Sequence, residues 1–141
     1  MKIDSPFPEI DIKVDHENEL ICASVAGIVD MATGEGVISR VRLQASKYNY
    51  AIFYDLRECD FRIEQLDWYY IVEMLSTLEK QQGKSFQVAL LVSDNGLNAG
   101  VEYYARGATE AGMLVKIFYS YDVALEWLTM DTSIHVRKII S

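Results

Sequence analysis

The first thirty residues alternate between apolar and polar positions in a pattern that predicts two paired strands. Ile10, Ile12 and Val14 are separated by charged residues, which is the period of two expected for a strand with one solvent-facing side. A polar turn at residues 16–19 leads into a second apolar segment at residues 20–27. An antiparallel hairpin is therefore predicted to open the fold.

A helical period replaces this alternation between residues 30 and 48. Apolar residues recur at intervals of three and four from Val37 to Tyr48, whereas Arg42 lies elsewhere around the helix axis. Asp30 or Thr33 is expected to cap the first turn. The segment is therefore predicted to be the first helix.

The remainder of the chain alternates between short apolar runs and longer helical patterns. Apolar runs typical of buried strands occupy residues 50–56, 88–92 and 114–119. Helices are predicted at residues 64–82, 97–111 and 121–130. In the first of these helices Leu66 is expected to face inward, and Gly83 and Gly112 are expected to end the first and second. Residues 57–62 are predicted to form a loop.

These elements follow the order β-β-α-β-α-β-α-β-α. Repeated β-α-β units favour an α/β fold with a mainly parallel five-stranded sheet, opened by the antiparallel hairpin. No linker or repeat divides the sequence, so a single domain is predicted over residues 1–141, with its core at residues 9–129 and a tail at residues 131–141.

The excess of acidic over basic residues disfavours negatively charged binding partners. Lys and Arg number 13 against 21 Asp and Glu, which gives a formal charge of −8. Such a field repels nucleic acid and anionic lipid, so no nucleic-acid partner is expected. The sequence has neither a secretory signal pattern nor a run of roughly 20 apolar residues, and a cytoplasmic protein without stable membrane insertion is predicted.

The sequence offers little for catalysis or for a cofactor. Cys22 in an apolar segment and Cys59 in a predicted polar loop have neither metal-knuckle nor redox-pair spacing, and free thiols are expected. The turn at residues 93–100 resembles a phosphate site only in its position, because it lacks the phosphate-loop Gly-Lys-Ser/Thr, so Asp94 or Asn95 is expected to cap a helix instead. We predict no enzyme activity, no metal and no cofactor.

Two sets of residues are candidates for binding. The charged and aromatic stretch that follows the 50–56 strand is the candidate for a protein partner: Asp60, Phe61, Glu64, Asp67 and Trp68. Three consecutive aromatic residues cannot all enter one core, so at least one is expected to be exposed, and Trp68 is expected to matter more for binding than for the fold. The candidates for an apolar ligand are the aromatic residues of the second and third helices: Trp68, Tyr69, Tyr70, Tyr103 and Tyr104.

The element order and four segments together resemble the STAS, or SpoIIAA-like, family over residues 9–129. The segments are the strand at 88–92, the helix end at 110–112, the strand at 115–118 and the closing helix at 122–128. The resemblance implies strands in chain order and function by protein binding, with lipophilic ligands in some bacterial members. It also implies a phosphorylated Ser or Thr near residues 60–64, but no Ser or Thr lies between Ser46 and Ser76.

Two functions are therefore predicted. The first is a non-catalytic bacterial regulatory module that binds a protein through the region of residues 60–68. The alternative is a carrier or sensor of a small lipophilic ligand. In the tail, Ile134, Val136 and Ile140 show the even spacing of a strand that could pair with a sheet edge of the same chain or of a second copy, which predicts a homodimer.

Overall fold

The computed structural model of the 141-residue chain describes residues 8–96 and 98–130, with the side chain of Met130 left out. The predicted tail strand and the homodimer that rests on it lie outside the described residues. The elements are β1 (Glu9–Asp15), β2 (Leu20–Asp30), α1 (Met31–Tyr48), β3 (Ala51–Arg62), α2 (Gln65–Gln82), β4 (Gln87–Leu91), α3 (Ala99–Glu110), β5 (Leu114–Phe118) and α4 (Tyr121–Met130).

The strands form one sheet in the order β1-β2-β3-β4-β5. β1 pairs antiparallel with β2, and the other neighbours are parallel. The predicted α/β order, the opening hairpin and the sequential strand order are confirmed. Each parallel crossover carries one helix, as β-α-β units require.

The sheet has a hydrophobic core on each face. The larger core joins the sheet to α1, α2 and α3, and its fully buried members include Ile21, Val41 and Leu75. The smaller core places α4 against the opposite face, where Phe53 and Leu91 meet Leu128. Alternate residues of β2, β3 and β4 therefore point into different cores, as the pleat dictates.

Residues 57–62 do not form the predicted loop but belong to β3. Beyond an irregularity between Ser24 and Ala26, residues 26–30 of β2 pair with residues 58–62 of β3. β4 pairs with β3 only as far as Asp55. The last part of β2 and β3, here called the β2–β3 extension (residues 26–30 and 58–62), therefore continues past the end of β4.

The helix ends follow local chemistry. Of the two residues predicted to cap α1, Asp30 and Thr33, Asp30 does so, because its carboxylate accepts a hydrogen bond from the Thr33 amide at 2.9 Å. Gly83 ends α2 in the left-handed conformation, also as predicted. The N-cap of α3 is Asn98 rather than Asp94 or Asn95, so that prediction is wrong.

Leu66 does not face inward, because its side chain is 82% exposed. The buried side of α2 is set by Trp68, Ile71 and Leu75, which recur at helical spacing. Leu66 lies two residues before Trp68 and therefore points to nearly the opposite side of the helix.

Candidate functional site

A cavity of about 70 Å³ lies within the larger core, between the sheet and helices α1, α2 and α3. Val25 and Phe61 are among the strand residues of its wall, and Ile71 and Val101 are among the helical ones. For scale, an apolar cavity of roughly 150 Å³ accepts benzene. The cavity as it stands therefore has room for a group of a few heavy atoms.

The mouth of the cavity lies where α1 begins and β3 ends. Ile38, Phe61 and Ile63 line the cavity and remain partly exposed. Across the mouth, Gly34 in the first turns of α1 lies so close to Ile63 that an added Cβ would contact its Cδ1 at 3.6 Å. A larger ligand that enters here would therefore have to displace the Ile63 side chain from Gly34.

Trp68 forms one wall of the cavity and is buried by aromatic neighbours. Its ring centroid lies 5.3 Å from that of Phe61, at an interplanar angle of 68°, and 6.1 Å from that of Tyr104. The ring also packs directly on α3 at Gly100, where an added Cβ would lie only 2.7 Å from Cε2. The absence of a side chain at residue 100 is what allows Trp68 this position, a role that the sequence analysis missed.

A buried ion pair lies beside the cavity. Arg42 lines the cavity, and its Nη1 donates a hydrogen bond at 2.7 Å to Oε2 of Glu79, with side-chain exposures of only 8% and 5%. Among the described residues this is the only ion pair that joins α1 to α2. The other carboxylate oxygen of Glu79, Oε1, is buried and has no partner in the described part of the chain.

The buried ion pair corrects the sequence analysis, which placed Arg42 away from the buried side of α1. Arg42 directly follows Val41, the most buried residue of that helix together with Ala45, so its long side chain reaches the core. Glu79 lies one turn beyond Leu75 on the buried side of α2. The matching positions of opposite charges on two apolar faces were the signal available in the sequence.

Two tyrosines, Tyr54 of β3 and Tyr104 of α3, also line the cavity. Burial raises the pKa of Tyr104 to about 12, while the neighbouring charge of Arg42 partly opposes the shift. Burial likewise raises the pKa of Tyr54, and the nearby Tyr104 adds to the effect. Both side chains are therefore neutral phenols at physiological pH and can donate hydrogen bonds.

The residues predicted to bind a protein partner do not form one surface. Phe61 and Trp68 face the cavity, whereas Asp60 points outward and pairs with Arg62 at 2.7 Å. The strand alternation of β3 separates Asp60 from its neighbour, which the loop prediction could not anticipate. Glu64 occupies the N-cap of α2, and Asp67, also predicted to bind the partner, lies in the first turn of the same helix.

The residues predicted to bind an apolar ligand also divide into two groups. Trp68 and Tyr104 line the cavity. Tyr69 and Tyr70 are each 52% exposed, so the expectation that at least one of the consecutive aromatic residues is exposed is confirmed. Tyr69 and Tyr103 line a separate groove of about 410 Å³ between α2 and α3.

Cys59 lies in β3 and not in a polar loop. Its thiol donates to the Val25 carbonyl oxygen at 3.2 Å, and burial raises its pKa to about 12. The sulfur is therefore a protonated thiol at neutral pH and a poor nucleophile. Cys22, the other free cysteine, is half-buried, and burial raises its pKa as well.

None of the helices that the structure describes is long and apolar enough to cross a membrane. Within residues 8–96 and 98–130, no three His, Cys, Asp or Glu side chains gather as a metal site would need.

Comparisons with known proteins identify the fold. No protein-family model matches the chain, and no curated protein shows significant similarity to it. Among solved structures, the chain is similar to an uncharacterized protein of the DUF3478 family with a SpoIIAA-like fold, from Shewanella loihica. The two share 19% sequence identity and a TM-score of 0.52, over 86% of this chain and 93% of the other. The element order, the sheet topology and this likeness together show that the protein has a SpoIIAA-like fold.

Proposed function

We propose that the protein is a non-catalytic binding module that carries or senses a small, largely apolar ligand in the cavity beneath α2. The SpoIIAA-like fold supports a STAS-like regulatory or binding role in general terms. The observation that carries the finer proposal is that Phe61, Trp68 and Tyr104, taken from both predicted sets, converge on one apolar cavity.

Packing energetics support a ligand at this place. Protein interiors are close-packed, and a cavity lined by apolar atoms loses dispersion contacts that a ligand could restore. This cavity also reaches the surface between Ile38 and Phe61. An internal space that combines apolar walls, a few polar groups and a path to solvent has the properties of a small-molecule site.

The packing of the helices provides a way to enlarge the cavity. α1 lies on β2 and β3, whereas α2 packs mainly on α3. A ligand larger than the present volume can therefore be accommodated if α2 moves away from α1. Such a movement would stretch the Arg42–Glu79 pair, which joins the two helices.

The proposal is tested by filling the cavity. Val37→Phe adds a ring to a buried position of the lining, and Ala124→Val adds bulk to the other core as the matched control. We expect wild type and Ala124→Val to bind toluene saturably in a titration followed by tryptophan fluorescence, and Val37→Phe to lose this binding. Mass spectrometry of gently purified protein should then show a co-purified small molecule in the first two proteins only. Absence of both signals from wild type would refute the proposal.

Protein binding is a second candidate function, favoured by an exposed apolar pair on α2. Leu66 and Tyr70 are 82% and 52% exposed and lie one turn apart, beside the acidic Glu64. Such a pair, bordered by negative charge, suits a partner with an apolar and basic surface. Affinity capture that is lost in Leu66→Ala/Tyr70→Ala and retained in Leu43→Ala, another exposed leucine, would support this function; equal capture by both variants would exclude this surface.

A further inference from the structure

The face of the sheet on which α4 lies, here called the α4 face, is only half covered. α4 packs on β3, β4 and β5, and the smaller core beneath it takes only Leu20 and Cys22 from β2. Within the described part of the chain, no helix packs on this face over β1 or over β2 beyond Cys22, and Ser24 and Ile28 are exposed there. Parallel strands are normally covered on both faces, so the bare end of the parallel β2–β3 pair is a candidate docking surface.

The strand register places a row of three side chains across this bare surface. Ala26 of β2 is paired with Glu9 of β1 on one side and with Glu58 of β3 on the other. Val25 points into the larger core, so Ala26 and its two paired residues point to the α4 face. Neighbouring strands lie about 4.8 Å apart, which separates the two glutamate Cα atoms by about 10 Å. The small side chain of Ala26 therefore leaves an open position between two carboxylates.

The two glutamates of this row have no cation of the chain to neutralise them. The basic residues of β1, β2 and β3 are all paired with aspartates of their own strands: Lys13 with Asp11, Arg57 with Asp55, and Arg62 with Asp60. Glu9 and Glu58 are exposed and make no ion pair with any residue that the structure describes. The row therefore presents two uncompensated negative charges on either side of Ala26.

An apolar side chain lies next to this row. Ile28 follows Ala26 by two residues on β2, so it points to the same face, and its side chain is 46% exposed. The positions of Ala26 and Ile28 lie about 6.8 Å apart along the strand. This is also the distance between residues i and i+2 of an extended chain, whose side chains point to the same side.

We infer that this part of the α4 face docks a polypeptide partner that carries a basic side chain beside an aliphatic one. The basic group lies over Ala26, between Glu9 and Glu58, and the aliphatic group contacts Ile28. Charge complementarity identifies this occupant, because one Lys or Arg placed there compensates both carboxylates. A second copy of this chain fits less well, since each copy carries a formal charge of −8. The surface lies on the opposite face of the sheet from the cavity, so the inference does not depend on the proposed ligand.

The experiment follows the binding of a defined peptide by nitrogen–proton NMR. The probe is Ser-Lys-Ser-Leu-Ser-Lys-Ser with blocked ends, in which each Lys lies two positions from Leu, and the control peptide replaces both lysines with glutamate. At neutral pH and low salt we expect the lysine peptide to shift the amide signals of Ala26, Ile28 and Glu58 saturably. The glutamate peptide should leave these signals unchanged, because like charges repel.

Two double variants separate this surface from the charge of the whole protein. Glu9→Gln/Glu58→Gln removes the proposed contacts and should weaken binding of the lysine peptide about fivefold, as the loss of two exposed ion pairs predicts. Glu73→Gln/Glu110→Gln changes the net charge equally, at two exposed carboxylates of α2 and α3 that make no ion pair within the described residues. This control should leave the affinity unchanged. All four positions are exposed, and circular dichroism checks that both variants fold.

Three results would overturn the inference. If the two double variants weaken binding equally, the overall negative charge attracts the peptide and this surface does not. If the lysine peptide leaves the signals of Ala26 and Ile28 unchanged, the bare part of the α4 face is not a docking site. If light scattering shows a wild-type dimer that Ile28→Asp converts to a monomer, a second copy occupies the surface instead of a basic partner. None of these results depends on a ligand in the cavity, so the proposed function stands or falls separately.

Discussion

Replacement of Gly100 by alanine tests the packing of Trp68 on α3. The added Cβ would lie 2.7 Å from Cε2 and 3.0 Å from Cζ2 of the indole, so the ring must move. Overpacking of this kind costs about 1–3 kcal/mol. Replacement of a helical glycine by alanine stabilises the folded state by roughly 0.5–1 kcal/mol. The expected net effect is therefore a loss of up to about 2.5 kcal/mol in the free energy of unfolding.

Gly107 provides a matched control on the same helix. An alanine Cβ there would meet Val72 Cγ2 at 3.4 Å, an ordinary van der Waals distance. Gly107→Ala should therefore gain the higher helix propensity of alanine without an overpacking cost. We expect it to stabilise the protein by about 0.5–1 kcal/mol. Two substitutions of identical chemistry on α3 are thus expected to change stability in opposite directions.

Urea denaturation followed by circular dichroism measures both changes, with the denaturant slope as a check that the unfolding transition is unaltered. Tryptophan emission should shift in Gly100→Ala, because the Trp68 ring is displaced toward the cavity, and should stay constant in Gly107→Ala. Equal stabilisation by the two substitutions would show that Trp68 does not pack on Gly100.

Three further predictions concern the core. Arg42→Ala should cost about 3–5 kcal/mol in the free energy of unfolding, because it leaves Glu79 buried and unpaired. Thermal or urea unfolding measures this loss, and Arg42→Met/Glu79→Leu, which removes both charges, should restore the stability. An equal loss in the two variants would contradict the prediction. Trp68→Ala should cost about 3–5 kcal/mol, a larger effect on the fold than the sequence analysis expected, and a loss below about 1 kcal/mol would place the ring outside the core. Stability should fall as the pH rises from about 9 toward 12, because the pKa values of Cys59 and Tyr104 are raised to about 12 in the folded state and the unfolded chain loses these protons first. Urea midpoints that stay constant over this range would refute the last prediction.

Local chemistry made much of the fold predictable from the sequence. The period of two before residue 15 and the continuous apolar runs identified the strands. Asp30 and Gly83 marked helix ends through side-chain capping and left-handed backbone geometry, which need no tertiary information. These strands and helix ends were therefore assigned correctly, whereas the cap of α3 and the orientation of Leu66 were not.

Three further errors arose where tertiary contacts override the local signal. The alternation of Cys59 and Phe61 with charged neighbours is a strand pattern, but its polar members led to the prediction of a loop. Arg42 is buried only because Glu79, 37 positions away, neutralises it. The wall that Trp68 forms depends on the packing of its ring on Gly100 of α3. This contact joins two helices, and no pattern of spacing in the sequence predicts it.

The β2–β3 extension exposes the backbone at the mouth of the cavity to solvent more readily than the middle of the sheet is exposed. Phe61 lies in the part of β3 that has β2 on one side and lacks β4 on the other, whereas Phe53 lies between two strands. A strand flanked on one side only opens more readily than one in the middle of a sheet. The amide proton of Phe61 should therefore exchange with deuterium faster than that of Phe53, and a molecule bound at the mouth should slow the exchange at Phe61 while leaving that at Phe53 unchanged.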